Sequence, residues 1–191
     1  RNLGDSIYAF DLPSALPFSR SYIRKVSAAI RFIDSGFGMR SYDERAIEDD
    51  IKDIKDWGDY ANQYFEIYES EKGVKSIKQR FLNRSVLAVA LVTLRYVDAQ
   101  EKVPVFWKGF IHGSNLDSDD PVLVGRNKYL SISVRGGAPN VYKEKWAPNA
   151  ISRLVSWAWN MHYMGEKRTV ARIGNIDKRA TVEIKGTKYF K

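Results

Sequence analysis

The sequence contains no cysteine, so disulfide staples and cysteine-ligated zinc are excluded as sources of its stability or chemistry. Histidine is nearly absent too: His112 and His162 are the only two in 191 residues. They stand in no metal-ligand spacing with each other or with a nearby carboxylate. His112 falls at a predicted helix end, where a protonated imidazole or a capping contact is the usual explanation. His162 lies one helical turn after Ala158 and reads as a residue at the edge of a core. Long apolar runs are missing as well. The longest candidate, Val86 to Leu94, is interrupted by Thr93 and flanked by Arg84 and Arg95. It falls well short of the roughly 20 residues that cross a bilayer. The opening residues, Arg-Asn-Leu-Gly-Asp, do not have the pattern of a secretory signal. A cytoplasmic location without membrane association is the expectation.

Catalytic motifs are equally scarce. There is no Walker loop, dinucleotide fingerprint or nucleophile elbow. Gly136-Gly137 is too short to cradle a phosphate. The run Asp117-Ser118-Asp119-Asp120 lacks the central glycine and distal glutamate of a calcium loop, and helix capping explains it better. No catalytic residue, metal or cofactor is expected. An enzymatic reading would have to rest on carboxylates, tyrosines or lysines alone.

What the chain does have is apolar material and uneven charge. Hydrophobic residues make up 44% and aromatic residues 13%, enough for a sizeable core. The net charge is +8. Residues 41–72 hold eleven acidic and four basic side chains, a net of −7. Residues 166–191 hold eight basic and three acidic, a net of +5. One acidic segment therefore sits in an otherwise basic chain, and a basic surface attracts polyanions, of which nucleic acid is the commonest inside cells.

The periodicity predicts a mainly α protein, a compact helical bundle over 1–165, followed by a short basic β-hairpin or tail over 167–191. Ile23, Val26, Ile30 and Ile33 form one helical face ended by Gly36 and Gly38. A second helix starts near Asp43 and keeps phase through Ile54, Trp57, Ala61, Tyr64 and Tyr68, with Gly58 as a possible break. A short helix spans 74–82. Ser85 is read as the cap of the most apolar helix, 86–97, the predicted buried centre. Pro104 opens the next helix, and Asp119 or Asp120 with Pro121 opens another. The last helix carries Ile151, Leu154, Val155 and Ala158. Beyond Gly165, the stretch Thr181-Val182-Glu183-Ile184-Lys185 alternates like a strand.

Two sets of basic residues are candidate phosphate contacts. The first is Lys75, Lys78, Arg80 and Arg84. The second is Lys143, Lys145, Arg153, Arg168, Arg172, Lys178, Arg179 and Lys185, interleaved with Trp146, Trp157, Trp159 and Tyr163. Lysine and arginine neutralise phosphates, and aromatic faces stack on bases. For the tryptophans, core packing is the competing reading. An alternative function is a protein–protein module, such as a phage factor docking on a host protein. It would use the acidic, aromatic helix 43–71 with Tyr60, Tyr64 and Tyr68 as anchors.

Several segments resemble the helical region that follows the ParB/sulfiredoxin-like domain in phage and bacterial ParB-like proteins. They are Ala28-Ala29-Ile30-Arg31-Phe32-Ile33 after a proline-containing lead-in, the helix Leu87 to Leu94, and Val105-Phe106-Trp107-Lys108-Gly109-Phe110. The last of these is followed by Gly113, Leu116, Asp120-Pro121 and Arg126, and Trp157-Ala158-Trp159-Asn160 completes the pattern. The likeness covers roughly residues 1–165 and consists mostly of helix-packing residues. It implies a nucleic-acid-associated accessory domain from a phage or mobile element. It also implies that any reactive ParB-like domain lies outside this sequence, so it carries no catalytic residue over.

Overall fold

The computed structural model describes residues 20–37, 47–114, 116–134, 148–167 and 182–187. Seven α-helices lie in these residues: α1 (Arg20–Asp34), α2 (Ile47–Glu69), α3 (Lys75–Lys78), α4 (Arg84–Tyr96), α5 (Lys102–His112), α6 (Pro121–Val134) and α7 (Pro148–Met164). A 3-10 turn, Gln79–Leu82, joins α3 to α4.

The bundle is built around α4. Ser85 to Leu94 are buried without a break, so this helix has no solvent face. A helix that is apolar all round must be enclosed, and α1, α2 and α7 lie against it. Its cap is Asn83, whose side chain accepts a hydrogen bond from the Ser85 backbone N at 2.8 Å. The predicted cap, Ser85, lies inside the first turn instead. Asparagine satisfies an orphan N–H of the helix start equally well.

The other elements follow their apolar spacing. On α2, Ile54, Trp57, Ala61, Tyr64, Phe65 and Tyr68 are buried. The helix runs through Gly58 without a break. Burial of that face outweighs the roughly 1 kcal/mol that a mid-helix glycine costs. At the start of α6, Asp120 accepts from the Val122 backbone N at 2.8 Å, with Pro121 at the first helical position. Gly125 is needed where α6 meets α7, because a Cβ there would lie 2.6 Å from the Ala158 Cβ.

Aromatic rings fill the space between α2, α5, α6 and α7. Trp107 meets Tyr64 edge-on at 5.5 Å, Phe106 meets Trp159 at 5.3 Å, and Phe81 meets Phe110 at 5.7 Å. These edge-to-face geometries suit the ring quadrupoles. The polar atoms among them are partnered. Trp107 Nε1 donates to Thr93 Oγ1 at 2.9 Å, and the Tyr64 hydroxyl donates to the Phe81 carbonyl at 2.7 Å. Burial raises the Tyr64 pKa well above its ordinary value, so the phenol stays a donor.

Residues 182–184 show the expected alternation. Val182 and Ile184 are buried while Glu183 is exposed. The attachment of residues 182–187 is made by side chains of α7. Trp159 Nε1 donates to the Lys185 carbonyl at 2.9 Å. Asn160 donates to the Glu183 carbonyl at 3.1 Å and accepts from the Lys185 N at 2.8 Å. Among the described residues, β pairing is limited to one antiparallel bridge, Val97 with Thr187. The predicted hairpin lies otherwise outside the described residues. Val182 and Ile184 belong to the same hydrophobic core as the helices.

Candidate functional site

Where α2 ends and α3 begins, the chain turns through Ser70 to Val74 and leaves an open groove of about 580 Å³. Four lysines line it: Lys25 from α1, Lys72 and Lys75 beside Gly73, and Lys78 from α3. Glu69, Glu71 and the ring of Tyr68 complete the wall.

The charges in this groove differ in how they are held. Lys78 is fixed. Its stem lies 3.3 Å from where a Cβ on Gly73 would stand, and its ammonium sits 4.5 Å from the Tyr68 ring centroid. That ammonium donates to the Glu71 carbonyl at 3.1 Å and pairs with Glu69 Oε2 at 3.4 Å. The side chain of Lys78 is 12% exposed, that of Glu69 62%. Glu71 is held from the far side. Ser114 Oγ donates to its Oε2 at 3.2 Å, and Lys108 Nζ lies 3.4 Å from its Oε1. Desolvation raises the Glu71 pKa, but the Ser114 bond, Lys108 and nearby His112 outweigh it and keep the carboxyl below its ordinary value. His112 Nε2 lies 2.8 Å from the Ile67 carbonyl, which only accepts, so that nitrogen carries the proton. His112 therefore caps the end of α2 rather than that of its own helix.

Lys25, Lys72 and Lys75 complete the groove differently. No side-chain hydrogen bond or ion pair among the described residues engages any of the three. Both glutamates are already neutralised, so the groove presents a surplus of positive charge.

The first basic set from the sequence is brought only partly together. Lys75 and Lys78 share the groove. Arg80 turns to α6, with NH1 donating to the Leu130 carbonyl at 3.4 Å. The Arg84 guanidinium lies 5.6 Å from the Phe32 ring centroid, a cation–π contact on α1. From the second set, Arg153 is buried, 7% exposed, inside the bundle. It is corrected from a surface contact to an interior residue, because its position on α7 faces the other helices. Lys185 is half-exposed and pairs with Glu183 at 3.4 Å. Lys143, Lys145, Arg168, Arg172, Lys178 and Arg179 lie outside the described residues, as does Trp146. Trp159 is fully buried, whereas Trp157 is only partly so.

The anchors of the alternative protein interface are corrected as well. Tyr64 and Tyr68 are 0% and 4% exposed, and Tyr60 is partly buried against the core. The aromatic stripe of α2 is its core face, so it is not presented to a partner.

Sequence reading missed Lys25, Lys72, Glu69 and Glu71. Lys25 is far from the others along the chain, and only the packing of α1 beside the end of α2 brings it there. Lys72 and Lys75 flank a glycine turn, a local signal that the charge count of the acidic segment concealed. Among the described residues no group of three metal-ligating side chains exists, and no helix is long and apolar enough to cross a membrane. No family model, curated protein or solved structure matches the chain.

Proposed function

We propose that this chain is a nucleic-acid-binding helical domain, an accessory domain of the kind that the likeness to ParB-like proteins implies. It contacts phosphates through the groove between α2 and α3, with the basic segment beyond Glu166 adding affinity. The observation that carries this reading is the groove itself, where Lys25, Lys72 and Lys75 stand around a fixed Lys78 with no anion of their own among the described residues. Uncompensated cations gathered on one concave surface, in a chain of net charge +8, favour a polyanion over a neutral ligand. Such contacts read the backbone and not the bases, so sequence preference is modest.

The test is a salt series. Anisotropy of a labelled single-stranded 20-nucleotide DNA and of a duplex, each measured from low to moderate salt, gives binding that weakens steeply with salt. Absence of binding at low salt, or binding without a salt slope, overturns the reading. A duplex bound more tightly than the single strand selects double-stranded DNA as the target.

A further inference from the structure

Lys78 is the best-positioned cation in the groove and, among the described residues, the only one there that a carboxylate occupies. We propose that Glu69 is an internal stand-in for a phosphate group at Lys78, so that the free protein holds its own anion-binding subsite closed and a phosphate opens it by displacing the carboxylate. This rests on the reading of the groove as a phosphate-binding surface.

Three features support the exchange. First, the subsite is preorganised. The Lys78 stem passes Gly73 where a Cβ would crowd it, and its ammonium is held over the Tyr68 ring and bonded to the Glu71 carbonyl. A cation fixed in place loses little freedom when an anion arrives. Second, the occupant is loose. The Glu69–Lys78 separation of 3.4 Å is longer than a good charge-assisted bond, and the carboxylate side chain is 62% exposed. A long pair whose carboxylate stands in solvent contributes little, so it is readily exchanged. Third, the surroundings favour the incoming group. Lys25, Lys72 and Lys75 line the same groove with no side-chain partner among the described residues. They would add their charge to that of Lys78 in holding a strand or polyphosphate that brings several phosphate charges where Glu69 brings one. Glu71 does not compete in the same way, because Ser114 and Lys108 hold its carboxylate elsewhere.

The experiment is a double-mutant cycle on the full chain with two probes, the labelled 20-nucleotide DNA and inorganic tripolyphosphate. Lys78 occupancy by tripolyphosphate is read by protection from amine acylation, located by mass spectrometry. Circular dichroism confirms that every variant keeps its helices. Glu69→Gln removes the competing charge and should tighten DNA binding about fivefold, the effect of one unit charge about 4 Å away when solvent screens it as in bulk water. It should also strengthen protection of Lys78 by tripolyphosphate. Lys78→Met should weaken binding, and adding Glu69→Gln to it should then gain nothing. Lys78→Arg should retain the response to Glu69→Gln.

A gain from Glu69→Gln that persists undiminished in the Lys78→Met background would show a general charge effect and overturn the stand-in. So would unchanged binding in Glu69→Gln. The two readings fail separately. If DNA does not bind but tripolyphosphate protects Lys78 more strongly in Glu69→Gln, the subsite stands and the nucleic-acid reading falls. If DNA binds and neither probe responds to Glu69, the nucleic-acid reading stands and the stand-in falls.

Discussion

The two ends of α5 are both polar, and they are built on opposite principles. At the Lys102 end, side chains are spent on backbone atoms of neighbouring elements. Lys102 Nζ donates to the Tyr163 carbonyl at 2.8 Å, and His162 Nε2 lies 3.3 Å from the Lys102 carbonyl. The Tyr163 hydroxyl donates to Asp98 at 3.0 Å, and Trp159 and Asn160 clasp residues 183–185. At the His112 end, Ser114, Lys108 and Lys78 settle the two glutamates, and three lysines of the adjoining groove have no side-chain partner among the described residues. The first end closes the fold on itself, because partnered polar groups rigidify a junction. The second leaves charge unspent, which serves solubility or a ligand. Concave placement of that charge on one groove favours the ligand.

The enclosed centre between the two ends supplies the stability. Trp107→Ala is expected to have the largest effect of any single change considered. It empties a fully buried site against Tyr64 and leaves Thr93 without its indole donor. A loss of about 3 to 5 kcal/mol is expected by urea denaturation. A loss below about 1 kcal/mol would show that α5 does not pack as described.

The clasp comes next. Gly186 adopts φ +78°, and a Cβ there would lie 2.6 Å from the Tyr163 ring and 2.9 Å from Asp98 Oδ1. Gly186→Ala therefore combines left-handed strain with a clash and is expected to cost about 2 kcal/mol. The effect should be local. Hydrogen exchange should speed up at 182–187 while α4 stays protected. Uniform loss of protection would make the clasp inseparable from the bundle and erase the contrast between the two ends.

Much of this fold is readable from the residues. The α4 centre, the core face of α2, the Asp120-Pro121 start of α6 and the alternation of 182–184 all follow periodicities that packing reinforces. What misled the reading was the value of a residue type away from its neighbours. Tyr64 and Tyr68 read as interface aromatics because they accompany acidic residues, yet spacings of four, three and four along Trp57, Ala61, Tyr64 and Tyr68 place them on the buried face. Arg153 read as a phosphate contact, although Leu154, Val155 and Ala158 leave α7 little exposed surface around it. The groove was half-visible. Lys75 and Lys78 stood out, but Lys25 enters from another helix, and pairing of Glu69 and Glu71 is a tertiary event that no local pattern announces.

Charge at the groove should be separable from stability. Replacing Lys25, Lys72 and Lys75 together by alanine removes no partnered contact among the described residues, so the unfolding free energy should shift by no more than about 0.5 kcal/mol per site. DNA affinity should fall about tenfold, taking roughly 0.5 kcal/mol for each exposed phosphate contact. The slope of log K against log salt should shrink by about 2 for a single strand. Unchanged affinity with an unchanged slope would put the groove on the same footing as ordinary solvated surface.

The smallest effect tests the closed end through pH. His162 is half-buried against Phe106 and Trp159, with ring centroids 5.6 and 6.0 Å away. Burial lowers its pKa below the ordinary 6.5, despite the Lys102 carbonyl and Asp120 acting the other way. The folded protein therefore resists protonation that the unfolded chain accepts. Between the lowered value and 6.5 the unfolded state binds more protons, so stability rises with pH across that window and is full above it. Acidification below 6.5 should thus destabilise the wild type. His162→Gln should remove that part of the slope while keeping a polar group near the Lys102 carbonyl. The groove end responds lower. Glu71, held below its ordinary 4.5, contributes stability that is present above that value and lost as pH falls further. Urea midpoints taken at closely spaced pH values separate the two. If His162→Gln leaves the slope just below pH 6.5 unchanged, the Lys102 end is not the closed, dry junction that its hydrogen bonds describe.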